Sequence, residues 1–214
     1  MDGGFDLDRG YAFSYSQTPT RVYSNLQAYF GIRLAPSASN GLTGDLGVKE
    51  LLNRAQLLLQ DIDVTVGNVR VAVAAGDSPG LARDQVGANA TIVVQGILNP
   101  SNYSESETWT SLNATTYGNQ PSFTQIAATP TFSTGTAAVA GEKIFEFTAS
   151  PDQLNQLDLS NIKELTQSGI GGRGTFPNGS DTLYINMALF PSDTTGQRII
   201  GNVSATLRWN EAQA

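Results

Sequence analysis

No cysteine and no histidine occur in this chain of 214 residues. The first absence excludes disulfides and thiolate metal sites. The second removes the commonest general base near neutral pH, the usual zinc ligand, and every Ser-His or Cys-His pairing. Chemistry here would have to rest on carboxylate pairs, lysine or tyrosine. Charge is also sparse, at 14% of residues, where a globular domain typically carries about 25%. Lys and Arg number 12 against 19 Asp and Glu, a net charge of -7. The basic residues fall singly from Arg9 to Arg208, so the cationic patch that phosphate binding needs is not formed in sequence, and no nucleic-acid partner is expected. No apolar run approaches the ~20 residues of a membrane helix, so no membrane partner is expected either. The opening Met1-Asp2-Gly3-Gly4-Phe5-Asp6 is acidic, the opposite of a secretory n-region, and the chain reads as soluble as made, with no secretion signal.

What is present is Ser, Thr, Asn, Gln and glycine around an ordinary apolar fraction of 40%. The length suits one domain able to bury roughly 70% of its unfolded surface. Residues 1–25 mix Phe5, Tyr11, Phe13, Tyr15 and Tyr23 with polar residues and Pro19. Alternation at Tyr11, Phe13 and Tyr15 predicts either an edge strand or an arm that docks on a neighbour. Residues 26–214 read as a single mostly-β domain.

Within it, Ala28–Leu34 predicts a strand. Val48, Leu51, Leu52, Ala55, Leu58, Leu59 and Ile62 recur at helical spacing, predicting an amphipathic helix over 45–60 capped by Asp45. Beyond it Ile62, Val64 and Val66 alternate, as do Val69, Val71 and Val73, and Thr91–Leu98 and Lys143–Thr148 are strand-like. Residues 99–141 are rich in turn formers with isolated bulky residues. Forty structureless residues are unusual in a compact domain, so Trp109 and Phe123 are expected to pin them down, with a short strand near 123–132. A second short helix is expected near 160–168. Thr182–Phe190 and Ile199–Trp209 alternate most clearly, with Pro191 to Gly196 as their hairpin connection and one face on the core. The fold class that follows is mainly β: an antiparallel, sandwich-like domain with one amphipathic helix and a second short one.

Chemistry-bearing patterns are few. Gly169-Ile170-Gly171-Gly172-Arg173-Gly174 superficially resembles a phosphate cradle, but a helix is expected before it and a strand after it, the reverse of a phosphate loop, and Gly-Lys-Ser/Thr is missing. A helix-ending glycine turn is the better reading. Asp6 with Asp8, and Asp61 with Asp63, could offer oxygens to calcium, but neither pair sits in a full loop motif, and solvated carboxylates are the simpler reading. Glu142, Glu146, Asp152 and Asp158 could support glycoside hydrolysis without histidine, yet nothing in the sequence sets a pair across a cleft. Five Asn-x-Ser/Thr sequons, at Asn89, Asn102, Asn113, Asn178 and Asn202, arise readily in such a composition. The reading is a protein that is not an enzyme, with no catalytic residues, no cofactor and no metal.

Three ordered blocks resemble a family of virion structural proteins of marine tailed phages, especially cyanophages. They are Gly47-Val48-Lys49-Glu50-Leu51-Leu52-Asn53-Arg54-Ala55-Gln56-Leu57; Asp158-Leu159-Ser160 through Leu165, Gly169 and Gly171-Gly172 to Phe176-Pro177-Asn178-Gly179-Ser180-Asp181; and Arg208-Trp209-Asn210-Glu211-Ala212-Gln213-Ala214. The sequence departs from the family pattern at Asn178, Ser180 and Asn210. The resemblance implies a non-enzymatic virion component, made in the host cytoplasm, acting through assembly with other virion proteins and copies of itself as a homo-oligomer. Its place would be capsid decoration or a neck, tail or fibre appendage. Interface candidates are Phe5, Tyr11, Phe13, Tyr15 and Trp209. The rival reading is a receptor- or glycan-binding fibre tip, for which exposed Tyr103, Trp109 and Tyr117 would face the ligand.

Overall fold

A computed structural model describes residues 11–17, 22–23, 25–34, 56–72, 91–112, 124–151, 153–162, 170–171, 181–190 and 198–212. Its strands are β1 (Tyr11–Gln17), β2 (Val22–Tyr23), β3 (Gln27–Leu34), β4 (Gln56–Ala72), β5 (Thr91–Leu98), β6 (Thr110–Ser111), β7 (Thr124–Ala127), β8 (Glu142–Ala149), β9 (Gln156–Asp158), β10 (Ile170–Gly171), β11 (Thr182–Phe190) and β12 (Arg198–Ala212). They form two antiparallel sheets. The first runs β1-β12-β4-β10, with β2 also on β12 and β9 also on β4; the second runs β6-β7-β3-β11-β5-β8. The protein is mainly β and sandwich-like, and no helix occurs among the described residues.

The sheets share one core. Leu59, Ile62, Val64, Val203, Leu207 and Trp209 of the first sheet and Phe30, Ile32, Ile92, Val94, Leu183 and Ile185 of the second are buried in a single cluster. Inward positions alternate with outward ones, as face-to-face sheet packing requires.

The expected helix over 45–60 is corrected where it can be tested. Residues 45–55 lie outside the described residues, but 56–60 begin β4. The cause is a bulge. Trp209 pairs with Leu59 and Arg208 with Asp61, leaving Gln60 as an extra residue. The bulge switches the parity of inward positions, so Leu57 and Leu59 face the core together with Ile62, Val64 and Val66. The resulting three-residue step from Leu59 to Ile62 counterfeits a helical interval. A second register jump lies further along β4, where Gly201 pairs with Val69 and Val203 with Val66.

Four other expectations are revised. Ser160 and Asn161 form a turn where a second helix was predicted, while 163–168 lie outside the described residues. Within the glycine-rich loop, Ile170 and Gly171 pair with Leu57 and Gln56 as a short strand, not a helix cap. The two C-terminal strands do not form a hairpin: β11 lies between β3 and β5 in the second sheet, and β12 between β1 and β4 in the first. Nor is β11 buried on one face only, since Thr182, Tyr184 and Asn186 are as inaccessible as Leu183, Ile185 and Met187.

Candidate functional site

The outward face of β11 is buried because the connection after β5 folds back over it. Asn99 turns the chain out of β5 with a φ of 50°, a left-handed conformation that asparagine tolerates. Its amide is spent on the next strand: Thr182 N donates to Asn99 Oδ1 at 2.9 Å, and Asn99 Nδ2 donates to Asp181 Oδ1 at 2.8 Å. The described parts of this connection outside β6 and β7, 99–109 and 128–141, form a cover on the second sheet, with Tyr103, Trp109 and Phe132 packed around Tyr184, Ile97 and Ala138.

Buried polar side chains fasten the cover. Asn186, on β11, donates Nδ2 to Ala138 O at 2.8 Å and accepts Ala138 N on Oδ1 at 3.2 Å. Asn102 donates to Thr134 O and Ala137 O, both at 2.8 Å, and accepts Val139 N at 3.1 Å. Glu107 accepts Thr131 N at 2.7 Å and Thr108 N at 3.0 Å. Each replaces water for backbone groups that have no strand partner, which is why burying them is tolerable.

A charged cluster lies at the centre. Arg33 of β3 is buried, with its guanidinium 4.3 Å from the Trp109 ring centroid, a cation–π contact strengthened by desolvation. Its Nε donates to Gln125 Oε1 at 3.0 Å and its Nη1 to the Tyr103 hydroxyl at 3.4 Å. Burial lowers the Arg33 pKa, opposed by the nearby Tyr103, Tyr184 and Glu107. Burial also pushes the Glu107 carboxyl above its usual range, against the pull of its two backbone donors and of the Arg33 charge. Tyr184, whose hydroxyl faces Glu107 without bonding geometry, is driven well above the ordinary phenol range, again chiefly by burial.

The residues singled out from sequence are not brought together. Tyr103 and Trp109 are half-buried, their rings turned onto the cover cluster. Phe5, Tyr117 and Phe123 lie outside the described residues. Tyr11, Phe13 and Tyr15 stand on β1, at the edge of the first sheet, and the Tyr15 ring meets Phe30 edge-on at 5.2 Å. Trp209 is fully buried in this chain's own core, its Nε1 donating to Thr124 Oγ1 at 3.2 Å. Thr124 in turn donates to Glu211, joining the two sheets.

The carboxylates are dispersed. Glu146 accepts Gln95 Nε2 at 2.6 Å and Lys143 Nζ at 3.0 Å, and the lysine holds it below the usual range. Asp158 accepts the Ser160 hydroxyl at 2.6 Å and amide at 2.8 Å, which lower it too. Glu142 is exposed on β8, and Asp152 lies outside the described residues. Asp61 pairs with Arg208, which also lies 3.9 Å from Asp63. Among the described residues no three His, Cys, Asp or Glu gather as metal ligands. Asn102, in one of the sequons, is buried with its amide fully engaged. The polar residues that organise the cover (Arg33, Glu107, Asn186) carry no motif, and their only sequence signal is polarity within or beside bulky apolar residues.

Compared with known protein families and with curated protein sequences, the chain matches none. Among solved structures it matches Desmodium yellow mottle tymovirus at 10% identity, over 94% of this chain and 80% of that one, with a TM-score of 0.29. It matches a chain of the unassembled KI polyomavirus VP1 pentamer at 11% identity, over 95% of each, with a TM-score of 0.36. It also matches turnip yellow mosaic virus at 10% identity, over 94% of this chain and 93% of that one, with a TM-score of 0.23.

Proposed function

We propose that this chain is a non-enzymatic structural component of a virus particle, acting by assembly with copies of itself and with other virion proteins. The observation that carries the reading is how the fold uses its buried polar groups. Asn102, Glu107 and Asn186 each fasten backbone, and Arg33 is stacked and bonded within the cover. A scaffold that spends its buried polar groups on fixing its own shape suits a role in which shape is the function. The three sequence blocks that resemble phage virion proteins supply the location, as capsid decoration or a neck, tail or fibre part. Phe5, Tyr11, Phe13 and Tyr15 are the proposed contact region, placed at or before the edge strand β1.

The test is light scattering of the purified full chain over a wide concentration range, with electron microscopy of the product. A discrete closed oligomer is expected. A monomer at every concentration, or turnover of an oligosaccharide panel that is lost on Glu142→Gln with Glu146→Gln, would sink the reading.

A further inference from the structure

We propose that β1 is an exchangeable strand, donated by one copy of this chain to the β12 edge of another. The inference rests on the assembly reading and names its partner and its seat. One side of β12 is lined by the start of the chain. Tyr11 to Gln17 pair with Glu211 to Ala205, and Val22 and Tyr23 continue along the same edge against Ile199 and Arg198. Between the two strands the sequence is Thr18-Pro19-Thr20-Arg21, and a proline there has no amide hydrogen to give to a ladder. The described edge consists of a seven-residue strand and a two-residue strand.

The described contacts that seat β1 on its neighbours are made with the body of the domain. Tyr15 meets Phe30, the Ser16 hydroxyl bonds that of Thr206, Gln17 Nε2 donates to Ala128 O at 3.2 Å, and the ladder runs on β12. A second copy of residues 11–17 would therefore find the same register and the same side-chain partners. Among the described strands β1 pairs with β12 alone and ends the sheet. Its withdrawal would uncover the β12 backbone and the Phe30 ring, an edge prone to take up another strand. The strand that fits it is this chain's own. Because exchange keeps the contacts, concentration sets the balance between closed and exchanged forms.

The chain's lack of cysteine makes the test clean. Ser16→Cys with Thr206→Cys places one thiol pair across the β1–β12 ladder. After the protein reaches its associated state it is oxidised, then examined by light scattering and by non-reducing denaturing electrophoresis. Exchange predicts an oligomer by scattering and covalent species at twice the chain mass or its multiples, collapsing to the single chain on reduction. A second sample mixes chains carrying only Ser16→Cys with longer, tagged chains carrying only Thr206→Cys. Exchange predicts a mixed disulfide of the two sizes, and its absence overturns the proposal. An oligomer whose double variant cross-links only within each chain also overturns exchange while leaving the assembly reading in place. A monomer throughout defeats both.

Discussion

The two outer faces of the sandwich are built from similar alternating strands, yet they end differently. On the first sheet the outward side chains stay in contact with water: Asp61 and Asp63 around Arg208, Ser16 against Thr206, Asp158 turned to Ser160. On the second sheet the outward side chains of β3 and β11, Arg33, Thr182, Tyr184 and Asn186, are buried under the cover. Polarity alone does not decide which face is open. A polar strand face is buried when a loop brings backbone donors, acceptors and rings to meet it. The covered face should accordingly be costly to alter, and the open face cheap.

The largest effect is expected at the ring on which the cover sits. Tyr184 contacts Phe132 and Trp109 at ring-centroid distances of 5.1 and 6.0 Å, so Tyr184→Ala should cost about 3–5 kcal/mol. Urea unfolding measures the loss, and limited proteolysis should then cut within 99–109 or 128–141 before the sheets. A loss below about 1 kcal/mol would mean that the cover is not seated on this ring. Gly31 comes next. A Cβ there would lie 2.6 Å from the Tyr184 ring and 3.2 Å from that of Trp109, so Gly31→Ala should cost about 1–3 kcal/mol by overpacking, read from the same transition.

The third effect depends on pH. Glu107 has its folded pKa raised, chiefly by burial. Its contribution to stability is fully present below the ordinary carboxyl pKa and lost as pH rises through the raised folded value. Unfolding midpoints compared across that interval should fall with rising pH, and Glu107→Gln should flatten this part of the profile. An unchanged profile in the variant would assign the dependence to another group. The smallest effect belongs to the open face, where Arg208→Ala breaks the partly exposed pairs with Asp61 and Asp63 and should cost less than about 1 kcal/mol, reduced further by salt. A larger cost would erase the contrast between the faces.

Strands that alternate without interruption were legible in the sequence. Thr91–Leu98 and Thr182–Phe190 fall on β5 and β11 as predicted, and the inward set Val203, Ala205, Leu207 and Trp209 is buried on β12. Residues 56–60 misled because a bulge changes side-chain parity, and the three-residue step it creates is also the signature of a helix turn. The hairpin expected between the last two strands failed for another reason. Adjacent alternating runs suit a hairpin, but alternation does not say which sheet receives each run. The candidate site was the least legible part. Trp109 was correctly expected to pin the long connection, while Glu107, Asn186 and Arg33 resembled ordinary surface residues.

By itself the sequence determined the mainly β class, the inward faces of the uninterrupted strands and the exclusion of thiol and imidazole chemistry, because side-chain period and residue identity are local properties. Only the tertiary structure decided that β11 and β12 occupy different sheets, that Gln60 bulges, and that a polar face on the second sheet is sealed while its counterpart on the first stays open. Those outcomes depend on which backbone groups meet which side chains across many tens of residues. The physical reason is that a buried polar group costs least when its partners arrive with it: the distant chain supplies them to Asn102, Glu107 and Asn186, while the Thr182 and Tyr184 hydroxyls are buried without one.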